Sequence, residues 1–161
     1  MVEKTLIRFV DATITVSNSI AEAYAKRYRI SKPALVLNCP PHTIVKKNNK
    51  FREKFGIPES KMIFLYQGGL SHGRGIEMLL EAFQRIDQNR VVLILMGYGP
   101  LEEKIKKISN QSSNIFLHPA VSPEELWEYT GSADIGVVAM KNTCLNHYYC
   151  LPNKFFEYAM A

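Results

Sequence analysis

Cysteine is scarce in this sequence, and apolar runs of membrane-spanning length are missing. The three cysteines, Cys39, Cys144 and Cys150, form no close CxxC pair, so a reducing compartment is a simpler interpretation than a disulfide framework. No stretch approaches the roughly 18 consecutive apolar residues of a membrane span, and the first ten residues lack the apolar core of a signal peptide. We therefore expect a soluble, cytoplasmic chain.

Acidic residues are outnumbered by basic ones, which favours an anionic partner. The formal net charge is +5 over 161 residues. A phosphorylated ligand, a lipid surface and nucleic acid all fit this charge. Nucleic acid fits least well, because the basic residues are dispersed and aromatic side chains are not interleaved with them as a stacking platform. We therefore expect no nucleic-acid partner.

The apolar residues predict alternating strands and helices. Four short runs are typical of strands covered on both faces: 62–66, 91–96, 115–117 and 135–139. Helical spacing lies between them, and Ser122, Pro123 and Glu125 match the start of a capped helix. Strands that alternate with helices form right-handed βαβ units. The sequence therefore predicts an α/β fold with an open, doubly wound parallel sheet.

The first 60 residues are less regular. "DATITVS" predicts a strand, Ser17 or Ser19 can cap a helix that runs to about Tyr28, and "PALVLN" predicts a short extended segment. The prolines of "CPPH" favour a stiff connector. The basic stretch "HTIVKKNNKFREKFG" is predicted to be a linker with one helical turn that stops at Gly56.

A glycine-rich turn follows the first predicted strand of the parallel sheet. Gly68 and Gly69 come directly after the strand, and Arg74 precedes the next helix. Ligands of doubly wound sheets bind beyond the carboxyl ends of the strands, where glycines admit close approach and helix N-termini attract anions. Arg74 would add a charged fork for phosphate oxygens. The turn predicts a phosphate site, with a flexible surface turn as the alternative.

A second glycine pair does not complete a known nucleotide motif. Gly97 and Gly99 follow the second strand, but Glu102 stands where the third glycine of GxGxxG should be. No GK[ST] sequence follows either glycine stretch. The dinucleotide fingerprint and the P-loop are therefore both excluded.

The last predicted helix has polar residues in its first turns. A helix that begins near Asn153 would aim its N–H groups, with Lys154 beside them, at the same end of the sheet. Glu157 follows one turn later, so its carboxylate can accept hydrogen bonds from two ribose hydroxyls. A solvated Glu157 and an ordinary surface Lys154 are the alternative.

One cysteine and histidine cluster has the spacing of soft metal ligands. Cys144, His147 and Cys150 follow a C-x2-H-x2-C pattern that could hold zinc, but no second Cys/His pair supplies a fourth ligand. We therefore expect no metal, and a loop near the ligand is the favoured interpretation.

Four stretches, in this order, resemble the C-terminal donor-binding domain of retaining GT-B glycosyltransferases of the group 1, or family 4, type: "YQGGLSHGRGIEMLLEAF", "GYGPLEEKI", "NIFLHPAVSPEELWEYTGSADIGVVAM" and "LPNKFFEYAMA". "DATITVSNSIAEAYAKRY" and "ALVLNCPP" resemble the end of the acceptor domain and its connector. The resemblance implies that residues 1–42 are this tail and connector. It implies that residues 43–161 are an incomplete, Rossmann-like donor-binding domain, truncated at its C-terminus.

The resemblance also implies roles around one nucleotide sugar. The diphosphate would be lined by Gly68, Gly69 and Arg74 and supported by Lys154 and Asn153; Glu157 would bind the ribose, and Ala120 and Val121 the base. Two positions depart from the family pattern. Gly69 stands where many members have Arg or Lys, and Tyr149 stands in place of the first Glu of E-x7-E, so that Tyr149 or His147 would substitute near the donor sugar.

The implied function is the donor-binding portion of a bacterial glycosyltransferase of polysaccharide biosynthesis. It would move a sugar from a UDP- or GDP-linked donor to a glycan or lipid-linked acceptor with retention. Fixed cations and a helix dipole would stabilise the leaving diphosphate without a metal or cofactor. The acceptor would bind the missing N-terminal domain, so we expect this chain alone to be inactive.

Three further points stay open. The full-length protein could touch the inner face of the membrane through its basic segment. A sugar-nucleotide epimerase, which can share the two-domain architecture, is an alternative enzyme. A nucleotide-binding module without catalysis is the other alternative, suggested by the missing first Glu.

Overall fold

The computed structural model describes residues 2–161, which form two compact units. The first unit contains the chain up to Pro40 together with Asn142–Asn153, and the second contains Pro41–Lys141 together with Lys154–Ala161. The predicted functional division at residue 42 assigns Asn142–Asn153 to the donor-binding part, whereas this segment clusters with the first unit. The functional division itself stays a prediction.

The elements follow the predicted alternation of strands and helices. In chain order they are α1 (Val2–Leu6), a 3-10 turn (Ile7–Phe9), β1 (Ile14–Thr15), α2 (Asn18–Tyr28), β2 (Ala34–Leu35), α3 (Lys50–Phe55), β3 (Met62–Gln67), α4 (Ile76–Arg85), β4 (Val91–Met96), α5 (Glu102–Ser109), β5 (Ile115–His118), α6 (Pro123–Thr130), β6 (Ile135–Gly136), α7 (Leu145–Tyr149) and α8 (Asn153–Met160). None of the helices within residues 2–161 is long and apolar enough to cross a membrane.

The first unit is built around α2. The Ser17 hydroxyl caps this helix by accepting a hydrogen bond from the Ile20 N–H at 3.2 Å, as predicted. β1 and β2 form a short parallel pair. Glu3 of α1 accepts hydrogen bonds from the hydroxyls of Tyr24 (2.8 Å) and Tyr28 (2.5 Å), and these bonds lower the pKa of the Glu3 carboxyl. Polar contacts therefore tie α1 to α2.

The second unit contains a four-stranded parallel sheet in the order β5-β4-β3-β6. The strand predicted at 135–139 is shorter than expected, because β6 lies at the edge and pairs with β3 alone. Beyond Gly136 the pairing continues with one bond, from the Val137 N–H to the Leu65 carbonyl oxygen at 2.8 Å.

Helices cover both faces of this sheet, so the predicted doubly wound fold is confirmed. One core cluster joins α4 and α5 to residues such as Tyr66 and Leu93. The other joins α3, α6 and α8 to residues such as Leu65 and Ile94. The side chains of β3 alternate between the two clusters, as the pleat of a strand requires. Consequently Gln67, the last residue of β3, faces the same side as α6 and α8.

The basic segment before β3 contains the predicted helical turn, α3, but this helix packs into the core and is not a free linker. Phe51 of α3 is fully buried, and the helix ends at Gly56 as predicted. The Arg52 guanidinium donates hydrogen bonds to the carbonyl oxygens of Pro58 and Lys61 and to the Asp134 carboxylate, each at 2.9 Å. Apolar burial and these contacts fix the segment against the sheet.

Candidate functional site

The carboxyl end of β3 lies where the order of the strands reverses. β4 and β5 follow on one side of β3, whereas β6, the last strand in the chain, pairs on its other side. In doubly wound sheets, ligands bind in the crevice beyond the carboxyl ends of the strands at such a reversal. Gly68 and Gly69 follow β3 directly, so the predicted turn occupies this position.

The turn after β3 is held by the turn after β4. The Gly68 N–H donates to the Met96 carbonyl oxygen at 2.9 Å. Gly97 has a φ of +154°, and a Cβ built there would lie 1.9 Å from the Gly68 carbonyl oxygen. Only glycine allows the two turns to approach so closely. A Cβ at Gly69 would meet nothing within 4 Å, so the outer side of the first turn is open.

A buried cation lies over the Tyr66 ring at the end of β3. Lys154, the second residue of α8, is buried, and its Nζ lies 4.0 Å from the centroid of the Tyr66 ring. The same Nζ would be 3.4 Å from a Cβ at Gly68. Burial raises the pKa of Tyr66, and the positive charge of Arg74 opposes that rise. The Tyr66 hydroxyl donates to the Gly69 carbonyl oxygen at 3.0 Å. The structure thus brings Lys154, Gly68 and Gly69 together at this ring, and the charge of Arg74 acts on it.

Glu157 lies next to the same strand end. Its Oε2 accepts a hydrogen bond from Gln67 Nε2 at 2.6 Å. The Gln67 amide oxygen in turn accepts from the Thr130 hydroxyl at 2.9 Å. The predicted carboxylate is therefore held at the carboxyl end of β3 by a buried amide.

Tyr158 fixes α8 against the sheet. Its hydroxyl accepts a hydrogen bond from the Gln67 N–H at 2.9 Å, and burial raises the pKa of this hydroxyl far above its ordinary value. A Cβ at Gly136 of β6 would lie 2.1 Å from the Tyr158 ring. The helix that carries Lys154 and Glu157 is therefore placed by close packing of Tyr158 over a glycine.

The loop predicted to flank the base begins at a buried histidine. His118 Nε2 is 2.8 Å from the Lys54 ammonium, and Nδ1 is 2.7 Å from the Pro119 carbonyl oxygen. Because an ammonium only donates, Nε2 accepts and Nδ1 carries the proton. Burial lowers the pKa of His118, and the charge of Lys54 lowers it further. Ala120, exposed, and Val121, partly buried, follow at the same edge of the sheet as Gly68.

Tyr149 and Asn153 belong to the first unit. Asn153 is exposed and is the first residue of α8. The Tyr149 carbonyl oxygen accepts a hydrogen bond from the Ser17 hydroxyl at 3.1 Å, and Tyr149 lines a cavity of about 660 Å³ with Tyr24 and Tyr28. The roles predicted for Tyr149 and Asn153 beside the donor stay predictions.

The C-x2-H-x2-C cluster makes other contacts. His147 Nδ1 lies 2.7 Å from the Thr143 hydroxyl, and the Cys150 thiol donates to the His147 carbonyl oxygen at 3.1 Å. Among residues 2–161 there is no group of three or more His, Cys, Asp or Glu side chains that could hold a metal ion.

Three residues that organise the site have no role predicted from the sequence. Tyr66 supports Lys154, Gln67 holds Glu157, and Tyr158 fixes the helix that carries both. A usable signal was present for two of them. Tyr66 and Gln67 end an otherwise apolar strand, and polar groups at the buried end of a parallel strand need specific partners.

The family is decided by a match that covers more than half of the chain. The family model described as glycosyl transferases group 1 matches residues 47–144. This chain belongs to that family. The predicted resemblance to group 1 glycosyltransferases is therefore confirmed.

Known relatives of this group 1 chain are longer than it is. It is 25% identical over 92 residues to a protein assigned to colanic acid biosynthesis, the glycosyl transferase WcaI of Escherichia coli (strain K12), across 56% of this chain and 23% of WcaI. Its fold is similar to that of the sucrose-phosphate synthase from Thermosynechococcus elongatus (TM-score 0.69, 23% identity, 90% of this chain and 39% of that chain). The fold is also similar to that of Anabaena Alr3699/HepE, solved in complex with UDP and glucose (TM-score 0.62, 16% identity, 80% of this chain and 38% of that chain).

These structural similarities bear on the fold. They show a GT-B, Rossmann-like α/β fold, as predicted. The chain spans less than half the length of each of the three proteins.

Proposed function

We propose that this chain is the donor-binding part of a glycosyltransferase that moves a sugar from a UDP- or GDP-linked donor, with retention, to a glycan or lipid-linked acceptor. The observation that carries the proposal is the position of the buried Lys154 ammonium over the Tyr66 ring, beside the open Gly68–Gly69 turn. This arrangement joins positive charge and exposed backbone at the ligand-binding edge of the sheet.

In the proposed complex, the donor diphosphate lies over the Gly68–Gly69 turn. During transfer the bond between the anomeric carbon and the diphosphate oxygen breaks, and negative charge grows on that oxygen. Lys154 and Arg74 would stabilise this charge, and the first turn of α8 would add its partial positive charge. Because Lys154 is already held over the Tyr66 ring, little reorganisation is needed. The charge stabilisation in this proposal comes from protein cations, without a metal or cofactor.

The remaining site residues would bind the nucleoside. The Glu157 carboxylate has acceptor capacity beyond its bond to Gln67, which suits the two adjacent hydroxyls of a ribose. Ala120 and Val121 would flank the base, after the loop start that His118 fixes. The donor-sugar and phosphate roles that the resemblance implies for Tyr149 and Asn153 stay predictions.

Two relatives support the proposed substrates. WcaI is assigned to colanic acid biosynthesis, which favours a polysaccharide acceptor. HepE was solved with UDP and glucose, which favours UDP as the nucleotide.

A cytoplasmic location, with contact to the inner face of the membrane in the full-length protein, belongs to the same proposal and is tested by cell fractionation.

Isothermal titration calorimetry with UDP, GDP and ADP sugars tests the proposed site. We expect one of them to bind, and Arg74→Ala and Glu157→Ala each to weaken its binding by about 1 to 3 kcal/mol, as for hydrogen bonds to charged groups. Arg85→Ala is the matched control, because Arg85 is an exposed arginine at the opposite end of α4. Equal binding by wild type, Arg74→Ala and Glu157→Ala would refute the proposed site.

A further inference from the structure

The side-chain amide of Gln67 is buried, and both its nitrogen and its oxygen form hydrogen bonds. It is 4% exposed at the end of β3. Its Nε2 is 2.6 Å from Glu157 Oε2, and its Oε1 is 2.9 Å from the Thr130 hydroxyl. A carboxylate only accepts hydrogen bonds, so the amide nitrogen must face Glu157 and the oxygen must face Thr130. The orientation of the amide is therefore determined by its partners.

We propose that Gln67 is a positioning residue that holds the Glu157 carboxylate for ribose, and so sets how strongly the site prefers a ribonucleotide to one without the 2′ and 3′ hydroxyls. This inference rests on the proposed function, in which Glu157 binds the ribose. Gln67 itself need not touch the nucleotide.

Gln67 can hold the Glu157 carboxylate without blocking it, because its hydrogen bond occupies only part of the acceptor capacity of the carboxylate. An ionised carboxylate offers about four acceptor positions on two oxygens. The bond from Gln67 occupies one of them on Oε2. Oε1 and the remaining position on Oε2 are enough for two adjacent hydroxyls. Without Gln67 the carboxylate would have to be immobilised when the nucleotide binds, which weakens the hydroxyl contacts.

Gln67 also couples Glu157 to a second helix. The Thr130 hydroxyl that contacts Gln67 is 2.7 Å from the Leu126 carbonyl oxygen of its own helix, α6. Its single proton is shared between the two oxygens, so Thr130 is a weaker support for Gln67 than an undivided bond. We therefore expect removal of this hydroxyl to have a smaller effect than removal of the amide.

The experiment measures the ratio of the affinity for a ribonucleotide to the affinity for its 2′,3′-dideoxy form. If Gln67 had a purely structural role, its substitution would leave this ratio unchanged. UDP, GDP and ADP are titrated into the full 161-residue chain, and the tightest binder is paired with its own 2′,3′-dideoxy form. In wild type we expect the ribose form to bind more tightly. Gln67→Leu removes the amide, and Gln67→Glu keeps the size but replaces the donor with an acceptor facing Glu157. Both should reduce the ratio roughly five- to tenfold, with the dideoxy affinity unchanged.

Two further variants separate positioning from folding. Thr130→Val should reduce the ratio by less than the Gln67 variants. Tyr158→Phe removes the hydroxyl that accepts the Gln67 backbone N–H but leaves the amide contact with Glu157. It should lower stability and keep the ratio. If Gln67→Leu fails to fold, Gln67→Glu and Thr130→Val still provide the comparison.

Glu157→Ala distinguishes this inference from the proposed function. If Glu157→Ala removes the preference for ribose but Gln67→Leu and Gln67→Glu retain it, the positioning role is wrong and the proposed function stands. If Glu157→Ala retains the preference, the ribose contact itself is wrong. Binding of none of the three nucleotides would overturn both.

Discussion

The side-chain ammonium of Lys154 lies 4.0 Å from the centroid of the Tyr66 ring. At this distance the negative face of the ring attracts the cation. The hydroxyl of the same ring binds the Gly69 carbonyl oxygen. One buried side chain therefore positions a cation and a segment of open backbone, the two features that the proposed diphosphate site combines.

The ring and the hydroxyl of Tyr66 can be separated by substitution. Tyr66→Phe keeps the ring under Lys154, whereas Tyr66→Leu removes it. We expect Tyr66→Leu to weaken binding of the preferred nucleoside diphosphate by roughly three- to thirtyfold, from the usual strength of a cation–π contact. Tyr66→Phe should change it much less. Calorimetry measures the affinities, and urea unfolding confirms that both variants are folded. Equal losses in the two variants would argue against the cation–π contact.

Gly69 offers a position at which charge can be added. A Cβ there meets nothing within 4 Å, and the residue is exposed beside the turn that Lys154 borders. We expect Gly69→Arg to tighten nucleoside diphosphate binding several-fold, through roughly one added charge-assisted hydrogen bond, and to steepen its decrease with salt. Gly69→Ala should not tighten binding, and Gly69→Glu should weaken it. Tighter binding by Gly69→Glu would exclude an anion at this turn.

The Tyr158 ring packs so closely over residue 136 that only glycine fits there. A Cβ would lie 2.1 Å from the Tyr158 ring, so Gly136→Ala must displace the ring or the strand. We expect a loss of about 1 to 3 kcal/mol in the free energy of unfolding, measured with urea. Gly69→Ala is the control and should stay within about 0.5 kcal/mol of wild type.

A double variant tests whether the clash is the cause. Adding Tyr158→Leu to Gly136→Ala should recover part of the lost stability, because the ring that meets the new methyl group is gone. The two substitutions should therefore be non-additive. Additive effects would mean that Gly136→Ala acts elsewhere, for example through the backbone of β6.

His118 should make stability depend on pH. Its folded pKa lies below the ordinary value of 6.5 because of burial and Lys54. As the pH falls below about 6.5, the unfolded chain takes up a proton before the folded chain does. The free energy of unfolding should therefore decrease on acidification in this range and be insensitive to His118 above it.

Urea unfolding at about pH 7.5 and about pH 5.5 checks this dependence. His118→Asn should reduce the slope, whereas the exposed His42→Gln should retain it. Glu77, whose pKa is lowered by its own backbone N–H and by His72, loses its contribution only below its ordinary pKa of 4.5. The pH ranges in which His118 and Glu77 affect the free energy of unfolding are therefore separate. An unchanged slope in His118→Asn would assign the effect to other groups.

The fold could be predicted because its signals are local. The apolar runs of β3, β4 and β5, the Ser17 cap and the capping box of α6 each depend on neighbours in sequence. The sequence also predicts that Gly68 and Gly69 lie at the ligand-binding edge of the sheet. This edge is defined by the carboxyl ends of the parallel strands, and both glycines directly follow β3.

The contacts that could not be predicted join distant residues. Gln67 and Glu157 are far apart in the chain, and so are Gly136 and Tyr158; neither pair has a periodic pattern that marks it. The basic residues around Phe51 dominate the composition of that segment and therefore predict a linker. A single fully buried aromatic and the Arg52 contacts are enough to dock it, and composition does not record them.

The division of the chain limits how the second unit can be isolated. The backbone passes between the units at Pro40, again at Lys141, and a third time at Asn153. A recombinant piece that starts at Pro41 would therefore carry Asn142–Asn153 without neighbours such as Ser17, which binds the Tyr149 carbonyl oxygen. Excising the four-stranded sheet of the second unit needs two changes: removal of the N-terminal residues and replacement of Asn142–Asn153 by a short artificial bridge.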